Sequence, residues 1–323
     1  MDNIYVLADA VESRPTRSTL ELLGLGHRLA QAAGLKLRAL LPGPARGLAA
    51  AAVLAAGADE AVILDEPRLD TYQPELWLQA LAASATSPAA VLLPADSNGR
   101  DLAPRLAYRL QSQLFTDALE VSWSDGALVA KRPVYGGKAI MTARVAGTVV
   151  LTVRAHTASP LAEPKTGGEI QHQKVQLDEE QVHTRLVEHV EEKTEGVRLE
   201  DARVIVSGGR GLGGAEGFAE LKKLAALLHA GIGASRGAVD LGWAPPSWQI
   251  GQTGKIVSPD LYLAIGISGA SQHMAGVASA KNIVAINTDP EAPIFSYARL
   301  GVVADYKKVL PHLIAALAAA LKQ

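Results

Sequence analysis

The stretch Arg203-Val204-Ile205-Val206-Ser207-Gly208-Gly209-Arg210-Gly211-Leu212-Gly213-Gly214, followed by a helical pattern over residues 215–229, decides the fold of the C-terminal half. Its apolar run predicts a buried strand, and its glycines predict a tight loop before a helix. Gly209, Gly211 and Gly214 fit G-x-G-x-x-G, which lets the backbone approach a pyrophosphate at a helix start. A tight turn without a ligand is the open alternative.

The same alternation continues towards the C-terminus. Helical patterns at 271–278 and 307–321 separate the later apolar runs. The predicted strands are Ile232–Ser235, Leu261–Ile265, Ile283–Asn287 and Val302–Ala304. We therefore predict a doubly wound parallel sheet, in which ligands bind at the carboxyl ends of the strands.

The N-terminal half also alternates strands and helices. Predicted strands at 4–8, 35–41, 60–64 and 90–94 are separated by predicted helices at 18–33, 47–56 and 74–85. From about Val121, extended runs broken by Gly and Pro, including Val129–Lys138 and Thr148–Arg154, predict antiparallel additions. The fold class is therefore α/β in two domains: a Rossmann-like parallel sheet with antiparallel additions, then a doubly wound sheet.

A polar stretch separates the two halves. Residues 160–199 are poor in apolar clusters and rich in Glu, Gln, His and Lys, which is typical of a solvated linker. We therefore expect an N-terminal domain over 1–196 and a C-terminal domain over 197–323.

Composition excludes several function classes. The 323 residues contain 31 Lys plus Arg against 33 Asp plus Glu, so the basic excess that nucleic-acid binding requires is missing. There are no cysteines, which excludes disulfides, thiolate metal sites and cysteine nucleophiles. Asp2 and Asp9 stand where a signal peptide carries basic residues, and no run of 18 apolar residues occurs. We expect a cytoplasmic protein without direct membrane insertion.

Polar groups cluster where the C-terminal strands end. The loop Gln249–Lys255 is rich in hydrogen-bond donors, and Gly266–His273 forms a second strand-to-helix turn. The side chains expected at this edge are Arg210, Ser235, Arg236, Thr253, Ser268, Gln272, His273, Asn287 and Asp305. Each of these residues could instead have a structural role without a ligand, such as a helix cap or a surface ion pair. Donors and cations outnumber general bases, which favours stabilising charge on an electron acceptor over abstracting a proton.

The sequence fingerprint of a site for a nicotinamide dinucleotide is incomplete in this chain. The acidic residue that holds the ribose about 20 residues after the glycine loop is replaced by Ala234-Ser235-Arg236. This argues against NAD, whereas an arginine still allows the 2′-phosphate of NADP. An NADP-dependent dehydrogenase, with His273 as its one acid–base candidate, and a non-catalytic nucleotide-binding scaffold therefore remain open.

The C-terminal half resembles a known family. Gly233–Asp240, Gln249–Lys255, Gly266–His273, Ala285–Asn287 and the run from Asp289 to Phe295 are similar to the C-terminal domain of the electron transfer flavoprotein α subunit, nearly without gaps from Ser207 to about Lys308. In the N-terminal half, residues 100–106 and 132–137 are similar to that family as well.

The resemblance implies a carrier of single electrons with FAD as its cofactor. It implies a heterodimer with a β subunit that docks on the N-terminal domain, flavin dehydrogenases such as acyl-CoA dehydrogenases of fatty acid β-oxidation as donors, and a membrane quinone reductase as acceptor. No catalytic or metal-binding residue is implied. The implied FAD-binding residues are Arg210, Ser235, Arg236, Ile250, Gly251, Gln252, Thr253, Ser268, Gly269, Ala270, Ser271, Gln272, His273, Asn287, Asp305 and Tyr306.

The resemblance also implies separate roles for these residues. The Thr253 hydroxyl is expected near the flavin ring, Asn287 and Asp305 near the adenosine half, and Arg236 with His273 where they stabilise negative charge on the reduced ring. The sequence departs from the family at Gly237, where alanine is usual, and at Ala244–Trp248, which is less polar than usual.

Overall fold

The structure is a computed structural model that describes residues 3–11, 13–137, 139–188, 197–199 and 202–321. Among these residues no helix has the length and apolar character needed to cross a membrane.

The chain divides into two units. Unit 1 comprises Met1–Val134 and Ile140–Val190, and unit 2 comprises Tyr135–Ala139 and Glu191–Gln323. Residues 189–196, where the sequence predicts a domain boundary, lie outside the described residues.

The elements of unit 1 in chain order are β1 (Asn3–Leu7), β2 (Ala10–Val11), β3 (Arg14–Pro15), α1 (Arg17–Ala33), β4 (Lys36–Pro42), α2 (Pro44–Gly47), α3 (Ala50–Ala55), β5 (Glu60–Leu64), α4 (Pro74–Ser84), β6 (Pro88–Pro94), α5 (Ser97–Arg109), β7 (Gln113–Ala118), β8 (Glu120–Ser124), β9 (Ala127–Val134), β10 (Ala139–Val145), β11 (Val149–Val153) and β12 (Glu169–Gln173). They build a parallel sheet of seven strands in the order β12-β5-β4-β1-β6-β11-β7, a three-stranded sheet β10-β9-β8 and the short antiparallel pair β2-β3.

The core of unit 1 lies on both faces of the seven-stranded sheet. Successive side chains of a strand point to opposite faces. Along β1, Ile4 and Val6 therefore join one apolar cluster, and Tyr5 and Leu7 join the other. Burial on both sides explains why the sequence shows continuous apolar runs rather than alternation.

Helix α1 begins and ends as its sequence predicts. The Thr16 side chain accepts a hydrogen bond from the Thr19 N–H at the N-cap, and Gly34 closes the helix in the left-handed conformation at φ 67°. A glycine is favoured there because it has no Cβ to clash.

Three segments of unit 1 differ from the sequence prediction. The helix predicted over 47–56 is two short helices, α2 and α3. Strand β11, predicted as part of the antiparallel addition, instead pairs in parallel with β6 and β7, so that part of the prediction was wrong. In the predicted linker, β12 pairs in parallel with β5. Because β12 is a largely exposed edge strand of polar residues, its composition resembles a linker.

The elements of unit 2 are β13 (Val204–Gly208), α6 (Gly217–Leu228), β14 (Gly231–Ser235), α7 (Arg236–Asp240), β15 (Gln249–Ile250), β16 (Leu261–Ile265), α8 (Ser271–Ala275), β17 (Ile283–Asn287), β18 (Leu300–Val303) and α9 (Tyr306–Ala320). The strands form a parallel sheet of six in the order β15-β14-β13-β16-β17-β18, as the doubly wound pattern predicts. Apolar clusters cover both faces of this sheet: Leu263 and Ile265 face one, and Tyr262 and Ala264 face the other.

Candidate functional site

A cavity of about 750 Å³ opens at the carboxyl edge of the unit 2 sheet. Its size falls in the range of sites for small molecules and cofactors. The sequence-predicted residues that line it are Arg210, Ser235, Arg236, Ile250, Gly251, Gln252, Thr253, Ser268, Ala270, Gln272, His273 and Asn287. The structure thus brings together residues from five segments that the sequence separates by up to about 80 positions.

The glycines of the loop after β13 allow its backbone to pass close to the backbone of the loop that begins at Gly266. The Gly209 N–H donates to the Ile265 carbonyl at 2.9 Å, and the Gly211 N–H donates to the Gly266 carbonyl at 3.0 Å. A Cβ at Gly209 would lie 2.2 Å from the Gly266 carbonyl oxygen, and a Cβ at Gly211 would lie 2.7 Å from the Gly266 Cα. These contacts explain the glycine spacing by packing within the protein.

This crossing changes the interpretation of the G-x-G-x-x-G motif. A one-turn 3₁₀ helix, Arg210–Leu212, follows β13, and α6 begins only at Gly217. Arg210 and Gly211 line the cavity, whereas no residue of α6 does. The glycine spacing is therefore explained by packing, and the pyrophosphate expected at the start of the helix stays a prediction that the lining residues do not support. The NADP-dehydrogenase alternative, which relied on this motif, loses its main support.

The end of β14 supplies two further lining residues. The Ser235 hydroxyl caps α7 by accepting from the Ala238 N–H at 3.4 Å. Arg236 follows, with its side chain 67% exposed and its Nε 3.4 Å from an Asp240 carboxylate oxygen. An ion pair this open to solvent is weak, so Arg236 remains available to an anionic ligand.

Gly237 is packed against another lining residue. A Cβ at Gly237 would lie 2.9 Å from Cδ and 3.1 Å from Nε of Arg210. The missing side chain therefore leaves room for the Arg210 side chain beside α7.

The loop after β15 is tied to the start of α8. The Gln252 N–H donates to the Gln272 carbonyl at 2.8 Å, and the Gly251 N–H donates to the Lys255 carbonyl at 3.1 Å. The Gln249 amide donates to the Thr253 hydroxyl at 3.1 Å. These bonds hold a loop that carries several polar groups at the cavity wall.

His273 is the most deeply buried ionisable group at the cavity. It is 7% exposed, and its Nε2 lies 2.8 Å from the Tyr262 hydroxyl. Its Nδ1 is buried and makes no hydrogen bond of normal geometry to the described residues. Burial lowers the pKa of His273 to about 4, and the backbone of Ile250 offsets this only in part. The ring is therefore neutral at pH 7, so its expected effect on negative charge is that of a neutral donor rather than a cation.

The Asn287 side chain organises the loops beside the cavity. Its amide donates to the Ile267 carbonyl at 3.0 Å, and its amide oxygen accepts from the Asp289 N–H at 3.0 Å. Asn287 thus joins the end of β17 to the loop that follows β16.

Four sequence-predicted residues do not line the cavity. A Cβ at Gly269 would lie 2.3 Å from the backbone nitrogen of Ile294, and Ser271 is exposed in the first turn of α8. Asp305 caps α9 by accepting from the Lys307 N–H at 2.9 Å, and the buried Tyr306 hydroxyl donates to the Leu212 carbonyl at 2.9 Å.

The sequence prediction omitted several lining residues. They are Gly211, Gly237, Asp240, Gly266, Ile267, Asp289, Ala292 and Pro293. Those from Asp289 onwards follow the carboxyl end of β17, and this position was the signal that could have identified them. Asp240 lies one helical turn after Arg236, where a partner for that cation is expected.

Comparison with known families agrees with this architecture. A model described as the electron transfer flavoprotein domain matches residues 4–179, and one described as the electron transfer flavoprotein FAD-binding domain matches residues 198–278. The second match includes most of the cavity lining.

Individual relatives cover most of the chain. An electron transfer flavoprotein subunit alpha of Thermoanaerobacterium thermosaccharolyticum is 37% identical over 97% of this chain and 96% of its own length. One of Bacillus subtilis is 42% identical over 80% of each chain, and the protein FixB of Clostridium saccharobutylicum is 37% identical over 97% of this chain and 95% of its own. The chain therefore belongs to the electron transfer flavoprotein α-subunit family, whose members are electron carriers with FAD as cofactor rather than enzymes with a substrate.

Proposed function

We propose that this chain is the FAD-holding subunit of a cytoplasmic heterodimer. It takes single electrons from flavin dehydrogenases, such as the acyl-CoA dehydrogenases of fatty acid β-oxidation, and passes them to a membrane quinone reductase or a similar acceptor. The observation that carries the proposal is the cavity in unit 2, which combines two arginines with a buried imidazole nitrogen that makes no hydrogen bond of normal geometry to the described residues.

The lining residues fit a flavin dinucleotide. The cavity is lined by residues from five strand ends and is large enough for a cofactor. A buried Nδ1 without a partner costs about 1–3 kcal/mol, and a carbonyl acceptor on a ligand removes that cost. Neutral donors and arginines are the groups that bind carbonyl and phosphate oxygens.

We assign roles by chemistry. Arg210 and Arg236 supply the positive charge, while Gln252, Thr253 and His273 supply neutral hydrogen-bonding groups. Asn287 and Ser268 line the far part of the same edge. Asp305 and Tyr306 support α9, and for them we propose an indirect role through the strand end beside the nucleotide half of FAD.

FAD supplies the one-electron chemistry when bound, and this chain tunes its potential. Arg236 favours any state with more negative charge on the ring, because a nearby cation stabilises an anion. His273 contributes as a neutral donor, since its pKa lies far below neutrality. Walls formed by Ile250, Ile267 and Ala292 exclude water from part of the cavity, which strengthens these electrostatic effects.

For the partner subunit we propose a docking surface on unit 1. Strand β10 is an edge of the three-stranded sheet and is exposed along most of its length. Ile140 is 54% exposed and Met141 is 40% exposed. Exposed apolar side chains on an edge strand are typical of a surface that a partner covers.

The test is Arg236→Ala in the complex purified with its partner subunit. We expect the flavin midpoint potential to fall by roughly 40 mV for one electron, which corresponds to about 1 kcal/mol for loss of one partly screened charge. Because that charge is exposed, the difference should shrink as salt is added. Spectroelectrochemical titration at two salt concentrations measures both effects.

The matched control is Arg203→Ala, which removes an exposed arginine of unit 2 that pairs with Asp260 and does not line the cavity. This variant should keep the wild-type potential. An unchanged potential in Arg236→Ala, or a colourless wild-type complex, would contradict the proposal.

A further inference from the structure

We propose that Tyr262 is a positioning residue that fixes the tautomer of His273, so that His273 presents Nδ1–H as a hydrogen-bond donor to the cofactor. The inference rests on the FAD site proposed above and adds to it a residue that does not line the cavity.

The Tyr262 hydroxyl is a donor with one well-placed acceptor. Tyr262 is completely buried, and burial raises the pKa of its phenol, so the hydroxyl keeps its proton. A buried proton of this kind requires an acceptor. His273 Nε2 lies 2.8 Å away. Ser207 Oγ also lies beside the phenol, but it makes no hydrogen bond of normal geometry to the described residues.

A neutral imidazole has one protonated and one unprotonated ring nitrogen, and the bond made by one nitrogen sets the state of the other. If Tyr262 donates to Nε2, Nε2 is unprotonated. The proton then lies on Nδ1, which makes no hydrogen bond of normal geometry to any described residue, although the Ile250 backbone lies beside the ring.

This arrangement prepares a donor before the ligand arrives. His273 lines the cavity from α8, while Tyr262 holds it from β16 in the core behind. Without the tyrosine bond the ring would divide its population between two tautomers. A ligand carbonyl binds only the form with Nδ1–H, so its apparent affinity falls by the fraction of the ring in that form.

The test uses the complex of the full chain and its partner subunit, labelled with ¹⁵N at histidine, with and without FAD. Long-range proton–nitrogen spectra distinguish protonated from unprotonated ring nitrogens, and loss of one signal set in His273→Gln assigns this residue among the eight histidines. In the wild type without FAD we expect a protonated Nδ1 and an unprotonated Nε2. Added FAD should shift the Nδ1 signal.

In Tyr262→Phe without FAD we expect averaged signals from both tautomers, together with a roughly three- to ten-fold weaker FAD affinity. The control is Tyr5→Phe, which removes the buried hydroxyl bond between Tyr5 and the Thr86 carbonyl of unit 1. The control tests for a general loss of stability and should leave the His273 signals unchanged.

The two hypotheses fail in different ways. Two outcomes would overturn the inference while leaving FAD binding intact. One is a protonated Nε2 in the wild type, which is observed without any variant. The other is an unchanged tautomer of His273 in a folded Tyr262→Phe. If the His273 signals of the wild type do not change when FAD is added, the proposed FAD site is overturned. The proposal that Nδ1–H donates to the cofactor then fails with it.

Discussion

Gly209→Ala tests the crossing of two loops on which the cavity depends. The added Cβ would lie 2.2 Å from the carbonyl oxygen and 2.8 Å from the carbonyl carbon of Gly266, and 2.9 Å from the Ile267 Cα. All three atoms belong to the backbone, so no side chain can rotate away. The backbone of Gly209 has a negative φ of −111°, and the substitution therefore acts through space alone.

The size of the effect follows from these contacts. Ordinary van der Waals contact requires the oxygen to move by more than 1 Å, which breaks the bonds from Gly209 to Ile265 and from Gly211 to Gly266. Two such bonds contribute about 1–3 kcal/mol together, and overpacking adds about 1–3 kcal/mol. We expect the free energy of unfolding of unit 2 to fall by about 3 kcal/mol or more.

The same movement displaces Arg210 and Ile267 at the cavity wall, so we expect loss of bound FAD as well. Urea unfolding followed by circular dichroism measures the first effect, and the ratio of flavin to protein after gel filtration of the complex measures the second. The control is Gly213→Ala. Gly213 has φ 80°, an added Cβ there meets nothing within 4 Å, and the residue does not line the cavity.

Gly213→Ala should cost about 1 kcal/mol for the left-handed backbone and should retain FAD. A free energy of unfolding of Gly209→Ala within about 0.5 kcal/mol of the wild type, which is roughly the uncertainty of the measurement, would contradict the close approach of the two loops. A full complement of bound flavin in that variant would contradict it as well.

Two further predictions concern stability. Burial alone raises the pKa of Glu21, but hydrogen bonds from His156 and Arg17 lower it below the ordinary value. The carboxylate therefore stabilises unit 1 above about pH 4.5 and loses that effect as the pH falls through its lowered pKa. In Glu21→Gln the urea midpoint should depend less on pH in the acid range. An unchanged slope of the urea midpoint against pH would contradict the assignment of this dependence to the Glu21 carboxylate. Asp305→Ala should lower the stability of unit 2 by about 1 kcal/mol through loss of the α9 cap, whereas Asp305→Asn should retain most of it in thermal melts.

Local patterns predicted most of the fold. The inner strands of both parallel sheets are buried on two faces, and their apolar runs are visible without any knowledge of the neighbouring strands. The linker prediction differed at β12 because an exposed edge strand has the composition of a loop. The run that forms β11 was assigned to the wrong sheet because pairing direction is not encoded in the apolarity of one strand.

The site was predictable to the extent that topology orders it. Parallel strands end at one edge, so the polar residues after β14, β15 and β16 were expected together, and they line one cavity. Asp305 and Tyr306 follow β18 at the border of the same sheet, yet they do not line the cavity. The order of the strands does not predict how far the cavity extends along the carboxyl edge of the sheet.

The sequence by itself determined the α/β class, the two parallel sheets and the polar edge, because periodicity and glycine spacing are local properties of the chain. Only the tertiary structure decided that Gly209 and Gly211 serve a backbone crossing, that His273 is neutral, and that its Nε2 is held by Tyr262. Each depends on atoms brought within 3 Å across the fold and on burial that lowers the local dielectric, neither of which is a property of any single segment.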